Sequence, residues 1–356
     1  MSTETELAKL GGPLLAPSVQ ELAKEPLPKL PPRFVRTDED PPFVSHTNLS
    51  AQVPVIDMQK LSSQEERDRL HRACKGWGFF QLINHGVSTS LVEKMKIQVQ
   101  EIFNLPMEEK KKLWQRPDEI EGFGQGFLFS EEQKINWGDR FYMTTLPTYL
   151  RKPHLFSNLP LSFRETLEAY SLELRNLAMK LLELMAKALG MDPDDMRVLF
   201  EEGQQSMRMN YYPPCPQPEL AIGLKSHSDT LGLTILLQLN EVEGLQIRKN
   251  GVWVPIKPLP NAFVINIGDI IEIVSNGIYP SIEHRATVNS VKERVSVATF
   301  YGPKLEGEVG PAPSLITPRT PPRFRRIGAV DYFKGFLSRE IRRKSYLDTL
   351  RLNLKE

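Results

Sequence analysis

The pattern of apolar and polar positions divides the chain into a mainly helical first half and a second half rich in short strands. Between residues 161 and 190, apolar side chains recur at helical spacing, which predicts one long amphipathic helix. The same reasoning predicts shorter helices near residues 18–24, 62–75, 90–105 and 106–115. Within this helical region, strands are predicted at residues 53–57, 77–83 and 137–146.

Beyond residue 207 the pattern changes to short apolar runs separated by turn signals such as Asn250-Gly251 and Asn276-Gly277. These runs predict strands at 207–212, 233–239, 244–248, 252–256, 262–267, 270–274, 281–288 and 294–301. So many short strands over about a hundred residues are typical of a double-sheet jelly roll. We therefore predict four segments: an N-terminal arm (1–52), a mainly helical region (53–200), a jelly-roll core (201–310) and a C-terminal segment with a helix (311–356).

The composition is that of an ordinary globular protein, and it narrows the kind of partner. With a formal net charge of +1 over 356 residues, the chain gives no reason to expect nucleic acid or a membrane surface. Only two cysteines occur, Cys74 and Cys215, which fits a reducing compartment and argues against a disulfide scaffold. The sequence has no signal-peptide pattern and no apolar run of membrane-spanning length. We therefore expect a monomeric protein of the cytoplasm that binds a small molecule.

Candidate metal chemistry is concentrated at His227-Ser228-Asp229 and at the distant His284. Because His227 and Asp229 are two positions apart, their side chains point to the same face of an extended strand. Two imidazoles and one carboxylate on one face of a metal leave open positions, the arrangement of non-haem Fe(II) oxygenases. The tripeptide alone is more often a surface turn with a capping aspartate. However, strands distant in sequence are neighbours in a jelly roll, and His284 lies in a predicted strand, which favours the metal site.

A second group of polar residues suits a 2-oxo acid bound beside such a metal. Arg294 lies at the start of the predicted strand 294–301, and a guanidinium binds a carboxylate through two charge-assisted hydrogen bonds. Ser296 shares the face of Arg294, and Tyr212 could donate a third bond. Each residue alone has a plainer interpretation: a solvated turn for Arg294, strand filler for Ser296, and an aromatic packed on prolines for Tyr212. Their joint occurrence, in this order and spacing, favours co-substrate binding.

Several longer motifs surround these candidate residues. They are Met209-Asn210-Tyr211-Tyr212-Pro213, Gly223-Leu224-Lys225-Ser226-His227-Ser228-Asp229, Gly244-Leu245-Gln246, Asn266-Ile267-Gly268-Asp269, Ser275-Asn276-Gly277, Glu283-His284-Arg285, Arg294-Val295-Ser296, Trp77-Gly78-Phe79-Phe80 and Asn84-His85-Gly86. With these motifs, the chain resembles the plant 2-oxoglutarate- and Fe(II)-dependent dioxygenases over residues 17–352. Residues 104–110 and 208–215 further resemble the senescence-related-gene-like branch, which includes the codeine and thebaine O-demethylases of poppy.

This resemblance implies an α+β fold in which helices flank a distorted double-stranded β-helix, or jelly roll. The implied iron ligands are His227, Asp229 and His284. The implied ligands of the distal 2-oxoglutarate carboxylate are Arg294, Ser296, Asn210 and Tyr212. Fe(II), 2-oxoglutarate and O2 are expected to be used, with ascorbate as an activator. The implied activity is hydroxylation or O-demethylation of a small molecule of plant specialised metabolism, with release of succinate and CO2. A non-catalytic binder, or an iron oxidase that does not use 2-oxoglutarate, is an alternative on the same scaffold.

Substrate contacts are expected from side chains that face the open side of the metal. The candidates are Arg140 and Tyr142, which share one face of the predicted strand 137–146, together with Phe300, Phe129 and Lys225. Relatives in this branch usually carry uncharged residues at the positions of Arg140 and Lys225. We hypothesise that the two cations make the pocket mouth positive and favour an acidic or oxygen-rich substrate. The alternative is that both side chains extend to solvent.

Overall fold

The strands of this computed structural model form two facing sheets, and the space between them holds both apolar and polar side chains. The structure describes residues 17–40, 52–116, 119–125, 132–337 and 345–352. The strands are β1 (Val55–Asp57), β2 (Phe79–Ile83), β3 (Gly122–Phe123), β4 (Asp139–Leu146), β5 (Gln205–Tyr212), β6 (Leu224–His227), β7 (Leu233–Gln238), β8 (Leu245–Lys249), β9 (Val252–Pro255), β10 (Phe263–Ile267), β11 (His284–Ala286), β12 (Arg294–Tyr301), β13 (Glu308–Val309) and β14 (Ile327–Gly328).

The larger sheet has eight strands in the order β1-β2-β10-β7-β12-β5-β4-β3, and the smaller has four in the order β6-β11-β8-β9. Strands β13 and β14 form a separate pair. One buried apolar cluster draws side chains from β7, β10 and β12 of the larger sheet and from β8 and β9 of the smaller, so the two sheets face each other. This architecture, with helices on the outside, confirms the predicted α+β jelly roll. Strands β1–β4 come from residues 53–200, so that region shares the larger sheet with the residues that follow it.

Helices that contribute to the main apolar core cover one face of the larger sheet. The described part of the chain has ten α-helices. They are α1 (Val19–Leu22), α2 (Gln64–Trp77), α3 (Thr89–Phe103), α4 (Met107–Lys112), α5 (Pro153–Asn158), α6 (Leu161–Leu189), α7 (Pro193–Phe200), α8 (Asp269–Val274), α9 (Ala329–Leu337) and α10 (Ser345–Thr349). Short 3-10 turns lie at Pro32–Phe34, Met58–Lys60, Thr148–Leu150, Pro218–Leu220 and Pro313–Leu315. The long helix α6 buries a stripe of apolar side chains in the main core and ends at Gly190, which adopts a left-handed conformation. None of the described helices combines the length and apolar character needed to cross a membrane.

The central strands of the larger sheet have two different faces. On β5, Met207, Met209 and Tyr211 belong to the main apolar core under the helices. Because side chains alternate along a strand, Arg208 and Asn210 lie on the opposite face, toward the smaller sheet. The interior between the two sheets therefore carries polar and charged groups, while the hydrophobic effect acts mainly through the outer core.

One predicted strand, at 270–274, is wrong. Asp269–Val274 form the short helix α8, in which every residue is buried. A continuous apolar run fits a buried helix as well as a buried strand, because neither has a polar face that would distinguish them. The helix places the carboxylate of buried Glu272 where it accepts a hydrogen bond from the Ser281 amide at 2.6 Å. Arg351 from the C-terminal segment bonds the other oxygen of the same carboxylate at 2.5 Å, so the buried charge is satisfied.

The described part of the N-terminal arm, residues 17–40, connects the two sheets. At one end, the hydroxyl of Ser18 donates to the Asp139 carboxylate of β4 at 2.5 Å, and the next two backbone amides donate to the same group. At the other end, the guanidinium of Arg285 on β11 donates to the carbonyl of Asp40 at 2.6 Å. The arm therefore spans the gap between the larger and the smaller sheet.

A first prediction concerns Tyr170 on α6. Its side chain is fully buried, and its hydroxyl has no hydrogen-bond partner among the described residues. A buried hydroxyl without a partner loses its hydration and gains nothing in return, so Tyr170→Phe should leave the free energy of unfolding unchanged or raise it by about 1 kcal/mol. Urea titration of the metal-free protein measures the change.

Tyr332→Phe is the matched control, since Tyr332 is equally buried but its hydroxyl donates to the Thr230 carbonyl at 2.8 Å. Loss of that bond should lower the free energy of unfolding by about 1–2 kcal/mol. An equal loss in both variants would contradict the unsatisfied hydroxyl at position 170.

Candidate metal centre and active site

The register between β6 and β11 brings the two candidate histidines together. His227 is the last residue of β6 and His284 is the first residue of β11, and the two are directly paired across the antiparallel ladder. Their ring centroids are 4.3 Å apart. β6 was not among the predicted strands, although the sequence analysis expected extended backbone at this histidine. The strand ends at His227, and Asp229 follows it in the loop toward β7.

Each histidine is oriented through its Nδ1 atom. Nδ1 of His227 lies 2.8 Å from the Lys225 carbonyl oxygen, and Nδ1 of His284 lies 3.1 Å from the Ile282 carbonyl oxygen. A carbonyl only accepts, so each Nδ1 carries the proton and each Nε2 presents a lone pair. Protein metal sites often orient their histidine ligands in this way.

Asp229 lies between the two imidazoles and uses its two oxygens differently. Oδ1 is 3.6 Å from Nε2 of His227 and 3.7 Å from Nε2 of His284. Oδ2 accepts hydrogen bonds from the Thr234 hydroxyl at 2.6 Å and from the Asn266 side-chain amide at 2.7 Å. One oxygen is therefore fixed by the protein, and the other faces the same small space as the two imidazole lone pairs.

Electrostatics keep His284 and Asp229 in the protonation states that a metal ligand requires. Burial, reinforced by the charge of His227, lowers the pKa of His284 to about 4, so its imidazole is neutral at physiological pH. Burial alone would raise the pKa of Asp229, but the two histidines and the Thr234 hydroxyl lower it below its ordinary range. The donor set is thus two imidazole nitrogens and one carboxylate oxygen, which suits a divalent transition metal.

A second cluster lies on the inner face of β5 and β12, where the register places two polar pairs side by side. Arg294 is opposite Tyr212, and Ser296 is opposite Asn210. Arg294 lies 5.6 Å from the ring centroid of Tyr212, and one of its terminal nitrogens is 3.5 Å from the Ser296 hydroxyl. The four candidates for carboxylate binding are therefore brought together on one patch of the inner face.

The guanidinium of Arg294 is buried without an acidic partner in the described part of the chain. It donates to the side-chain oxygen of Gln238 at 3.0 Å, and its Nε has no hydrogen-bond partner. Burial lowers the pKa of Arg294, although the arginine stays charged because its ordinary pKa is so high. A buried cation with an unused donor is the environment in which an anionic ligand is expected.

The structure places the predicted substrate-binding residues in different surroundings. Arg140 and Tyr142 both lie on the inner face of β4, and the Arg140 guanidinium is 5.6 Å from the Tyr142 ring centroid. Phe300 lies on the inner face of β12, opposite Thr234, and is partly accessible. Phe129 lies outside the described residues.

Lys225 lies on β6, two residues before His227, and its surroundings include the N-terminal arm. The pKa of Asp38 in the arm is lowered mainly by a hydrogen bond from Arg36, and the charge of Lys225 contributes to the same shift. The side chain is partly exposed. The positive charge of Lys225 therefore acts on Asp38 of the N-terminal arm.

Sequence reasoning did not assign a role to Thr234, Asn266, Gln238 or Arg208. Thr234 is the one polar residue within the apolar run of β7 before Gln238, and Arg208 stands between two buried methionines on β5. The sequence signal that could have identified Thr234 and Arg208 is a single polar residue within an otherwise apolar strand. Its meaning depends on which face of the sheet it occupies, and that is known only once the strands are paired.

Comparison with known families supports a common origin over most of the chain. The model of the 2OG-Fe(II) oxygenase superfamily matches residues 203–303. The model described as the non-haem dioxygenase in morphine synthesis N-terminal domain matches residues 53–160. The first match includes the three candidate metal ligands and the inner-face patch around Arg294.

Individual relatives are similar over almost their whole length. The chain is 56% identical to oxoglutarate-dependent flavonoid 7-O-demethylase 1 of Ocimum basilicum, over 98% of this chain and 94% of that protein. It is 54% identical to codeine O-demethylase of Papaver somniferum, over 97% of this chain and 99% of that protein. The crystal structure of JOX2 in complex with 2OG, Fe and JA superimposes with a TM-score of 0.87 at 35% identity, covering 96% of this chain and 99% of that one.

A second prediction concerns metal binding at the two histidines and Asp229. His284→Ala removes one of three ligands, so the affinity for Fe(II) should fall more than about 100-fold, since altering groups that merely support a ligand costs about 10–100-fold. Anaerobic calorimetric titration of the metal-free protein with Fe(II) measures the affinity.

His85→Ala provides the control, because the His85 ring packs on Phe263 at 4.3 Å between centroids, away from the cluster. This variant should bind Fe(II) like the unmodified protein. Equal weakening in the two variants, or tight binding by His284→Ala, would contradict the site.

Proposed function

The chain belongs to the 2OG-Fe(II) oxygenase superfamily, and from that premise we propose that it oxidises a methoxylated small molecule of plant specialised metabolism, most often by O-demethylation. The protein is a 2-oxoglutarate- and Fe(II)-dependent oxygenase, and it uses O2 as the oxidant. O-demethylation is proposed because relatives at 56% and 54% identity are named as O-demethylases of a flavonoid and of codeine. The observation that supports this proposal is the cluster of three metal-ligand candidates, together with a buried guanidinium, that of Arg294, which has no acidic partner among the described residues.

We assign the iron to His227, Asp229 and His284, whose ligand atoms lie within 4.8 Å of one another. Atoms this close can share one metal ion at coordination distances of about 2.0–2.2 Å. Three protein ligands on one side leave positions for a co-substrate and oxygen. When bound, iron and 2-oxoglutarate together supply an oxidant strong enough to attack an unactivated carbon, with succinate and CO2 as co-products.

We assign the distal carboxylate of 2-oxoglutarate to Arg294 and Ser296, with Tyr212 and Asn210 beside them. The Arg294 guanidinium offers charge-assisted hydrogen bonds in a fixed geometry, and its burial strengthens them by excluding water. Gly244 makes room for this side chain, because a Cβ at that position would lie 2.8 Å from Cδ of Arg294. The protein thus orients the co-substrate by its far end, so that its 2-oxo acid end reaches the metal.

The chain's residues also define what happens to the substrate. The inner faces of β4, β5 and β12 hold the substrate beside the metal, with Phe300 and Tyr142 as aromatic walls. Hydroxylation of an O-methyl carbon gives a hemiacetal, which breaks its C–O bond to release formaldehyde and leaves a free hydroxyl on the product. Attack on another carbon gives a stable alcohol, so the position of the substrate decides between the two outcomes.

The oligomeric state, cellular location, activator and partners of the protein are also proposals. We propose a monomer of the cytoplasm, activated by ascorbate, without a nucleic-acid or membrane partner; the two buried free cysteines fit a reducing compartment. The alternatives raised by the sequence were a non-catalytic binder and an iron oxidase that does not use 2-oxoglutarate. Neither explains why Arg294 is buried without an acidic partner in the described part of the chain.

A third prediction tests the reaction directly. Incubation with Fe(II), 2-oxoglutarate, ascorbate and a panel of methoxylated phenolics, including 7-O-methylated flavones, should give succinate and formaldehyde in equal amounts with at least one substrate. Mass spectrometry of the product should show loss of one methyl group. Formaldehyde produced without 2-oxoglutarate would instead identify an iron oxidase. Succinate together with a hydroxylated product would show that the reaction is hydroxylation and not O-demethylation.

A fourth prediction tests the co-substrate anchor without touching an ionisable group. Gly244→Ala should displace Arg294 and so remove one charge-assisted hydrogen bond to the co-substrate. The Kd for 2-oxoglutarate should therefore rise by about tenfold. Anaerobic titration, followed by the visible absorption of the Fe(II)–2-oxoglutarate complex, measures this Kd.

Gly76→Ala is the control, since a Cβ at that position on α2 meets no atom within 4 Å. It should leave the 2-oxoglutarate affinity unchanged, and neither variant should alter Fe(II) binding. An unchanged 2-oxoglutarate affinity in folded Gly244→Ala would show that Arg294 is not the anchor.

A further inference from the structure

Two arginines on the inner face of the larger sheet have not been assigned to the metal or to the 2-oxoglutarate carboxylate. Arg208 on β5 is directly opposite Tyr142 on β4, and Arg140 on β4 is directly opposite Asn210. The two arginines are therefore diagonal neighbours on one face, a separation that long side chains can bridge. Both are only partly accessible, so they border the interior between the sheets rather than the outer surface.

Neither arginine has an acidic partner within the described part of the chain. Arg140 donates to the carbonyl oxygens of Gly124 at 3.0 Å and Ile120 at 2.8 Å. Arg208 donates through Nε to the side-chain oxygen of Asn210 at 2.7 Å. All of these acceptors are neutral, and the terminal nitrogens of Arg208 have no hydrogen-bond partner among the described residues. Two positive charges are thus neighbours on one face, and neither forms an ion pair with a described residue.

This arrangement is electrostatically costly. Burial and the charge of Arg208 together lower the pKa of Arg140 to about 9, and burial also lowers the pKa of Arg208. The charge of Asp229, whose free oxygen faces the proposed metal, acts in the opposite direction and raises the pKa of Arg208. An anion placed between the two guanidinium groups would relieve their repulsion and use their remaining donors.

The strand order separates this pair from the co-substrate anchor. Arg294 is on β12, and β5 lies between β12 and β4. Adjacent strands are about 4.8 Å apart, so Arg140 is displaced from Arg294 by about 9–10 Å across the sheet. One anion at Arg294 and a second at the Arg140–Arg208 pair can therefore be bound together.

We propose that Arg140 and Arg208 form a substrate subsite for a carboxylate, so that the preferred substrate is an aromatic acid carrying the oxidised group at its other end. The proposal rests on the proposed function, since it assumes that the metal and 2-oxoglutarate occupy the centres described above. Tyr142, beside both arginines, supplies an aromatic surface for the ring of such a substrate. The carboxylate fixes the far end of the molecule, and the metal then faces a carbon at a set distance from it.

The test compares a carboxylate with its neutral ester in the loaded but inactive protein. Holoenzyme with Fe(II) and saturating 2-oxoglutarate is kept free of oxygen and titrated by calorimetry with 4-methoxycinnamate, 4-methoxybenzoate and their methyl esters. The unmodified protein should bind at least one acid about tenfold more tightly than its ester, as expected for one or more charge-assisted hydrogen bonds. Arg140→Leu and Arg208→Leu should each abolish this preference, whereas ester binding stays unchanged.

Arg197→Leu is the control for a general loss of positive charge, because Arg197 is exposed on α7. It should retain the preference for the acid. Arg140→Lys, which keeps a charge at the site, should retain part of the preference and shows that a loss in Arg140→Leu is not a folding defect.

The outcomes separate this subsite from the proposed function. Absorption of the Fe(II)–2-oxoglutarate complex reports the metal and co-substrate, and it should be the same in the Arg140 and Arg197 variants. Arg208→Leu removes a hydrogen bond to Asn210, but it should still form the complex at saturating 2-oxoglutarate. If that absorption is missing from the unmodified protein, the proposed function fails. If it is present but neither acid is preferred over its ester, or if the preference survives in both Leu variants, the carboxylate subsite is overturned.

Discussion

The structure depends on holding one ionised carboxylate and two imidazoles against each other inside a protein. An isolated buried carboxylate would be strongly disfavoured, so each of its oxygens needs a partner. Thr234 and Asn266 satisfy one oxygen of Asp229, and the other is left for a cation. Backbone carbonyls fix both histidines at their far nitrogens, and β-sheet register sets the imidazoles side by side. The centre is therefore built from ordinary strand pairing together with a few hydrogen bonds.

The two faces of the larger sheet serve different purposes. Its outer face packs on helices and supplies most of the apolar burial, which leaves the inner face free to carry groups that reduce stability. Arg294, Arg208 and Arg140 all lie on that inner face without an acidic partner among the described residues. Buried groups with unmet electrostatic needs are common at functional sites, because a bound ligand supplies what the fold lacks. The two proposed anion sites, one for the co-substrate and one for the substrate, both rest on this single property.

Much of this could be predicted from the sequence, and the failures have physical causes. Strands β5 and β12 and the long helix α6 were predicted because their periodicity is clear over many residues. The run at 270–274 was misread because a fully buried helix and a fully buried strand share the same apolar pattern. The three candidate metal ligands were proposed from residue type and spacing, and the structure brings them together. Thr234 and Arg208 gained meaning only from strand register. Cross-strand neighbours are not adjacent in sequence, so their contacts could not be read from it.

The account is tested most directly by a crystal structure of the protein grown without oxygen in the presence of Fe(II) and 2-oxoglutarate. It predicts one iron bound by Nε2 of His227, Nε2 of His284 and a single oxygen of Asp229, with the distal carboxylate on Arg294 and Ser296. Iron lacking any of the three protein ligands would contradict the account. A co-substrate carboxylate held by Arg140 and Arg208 instead would contradict it equally.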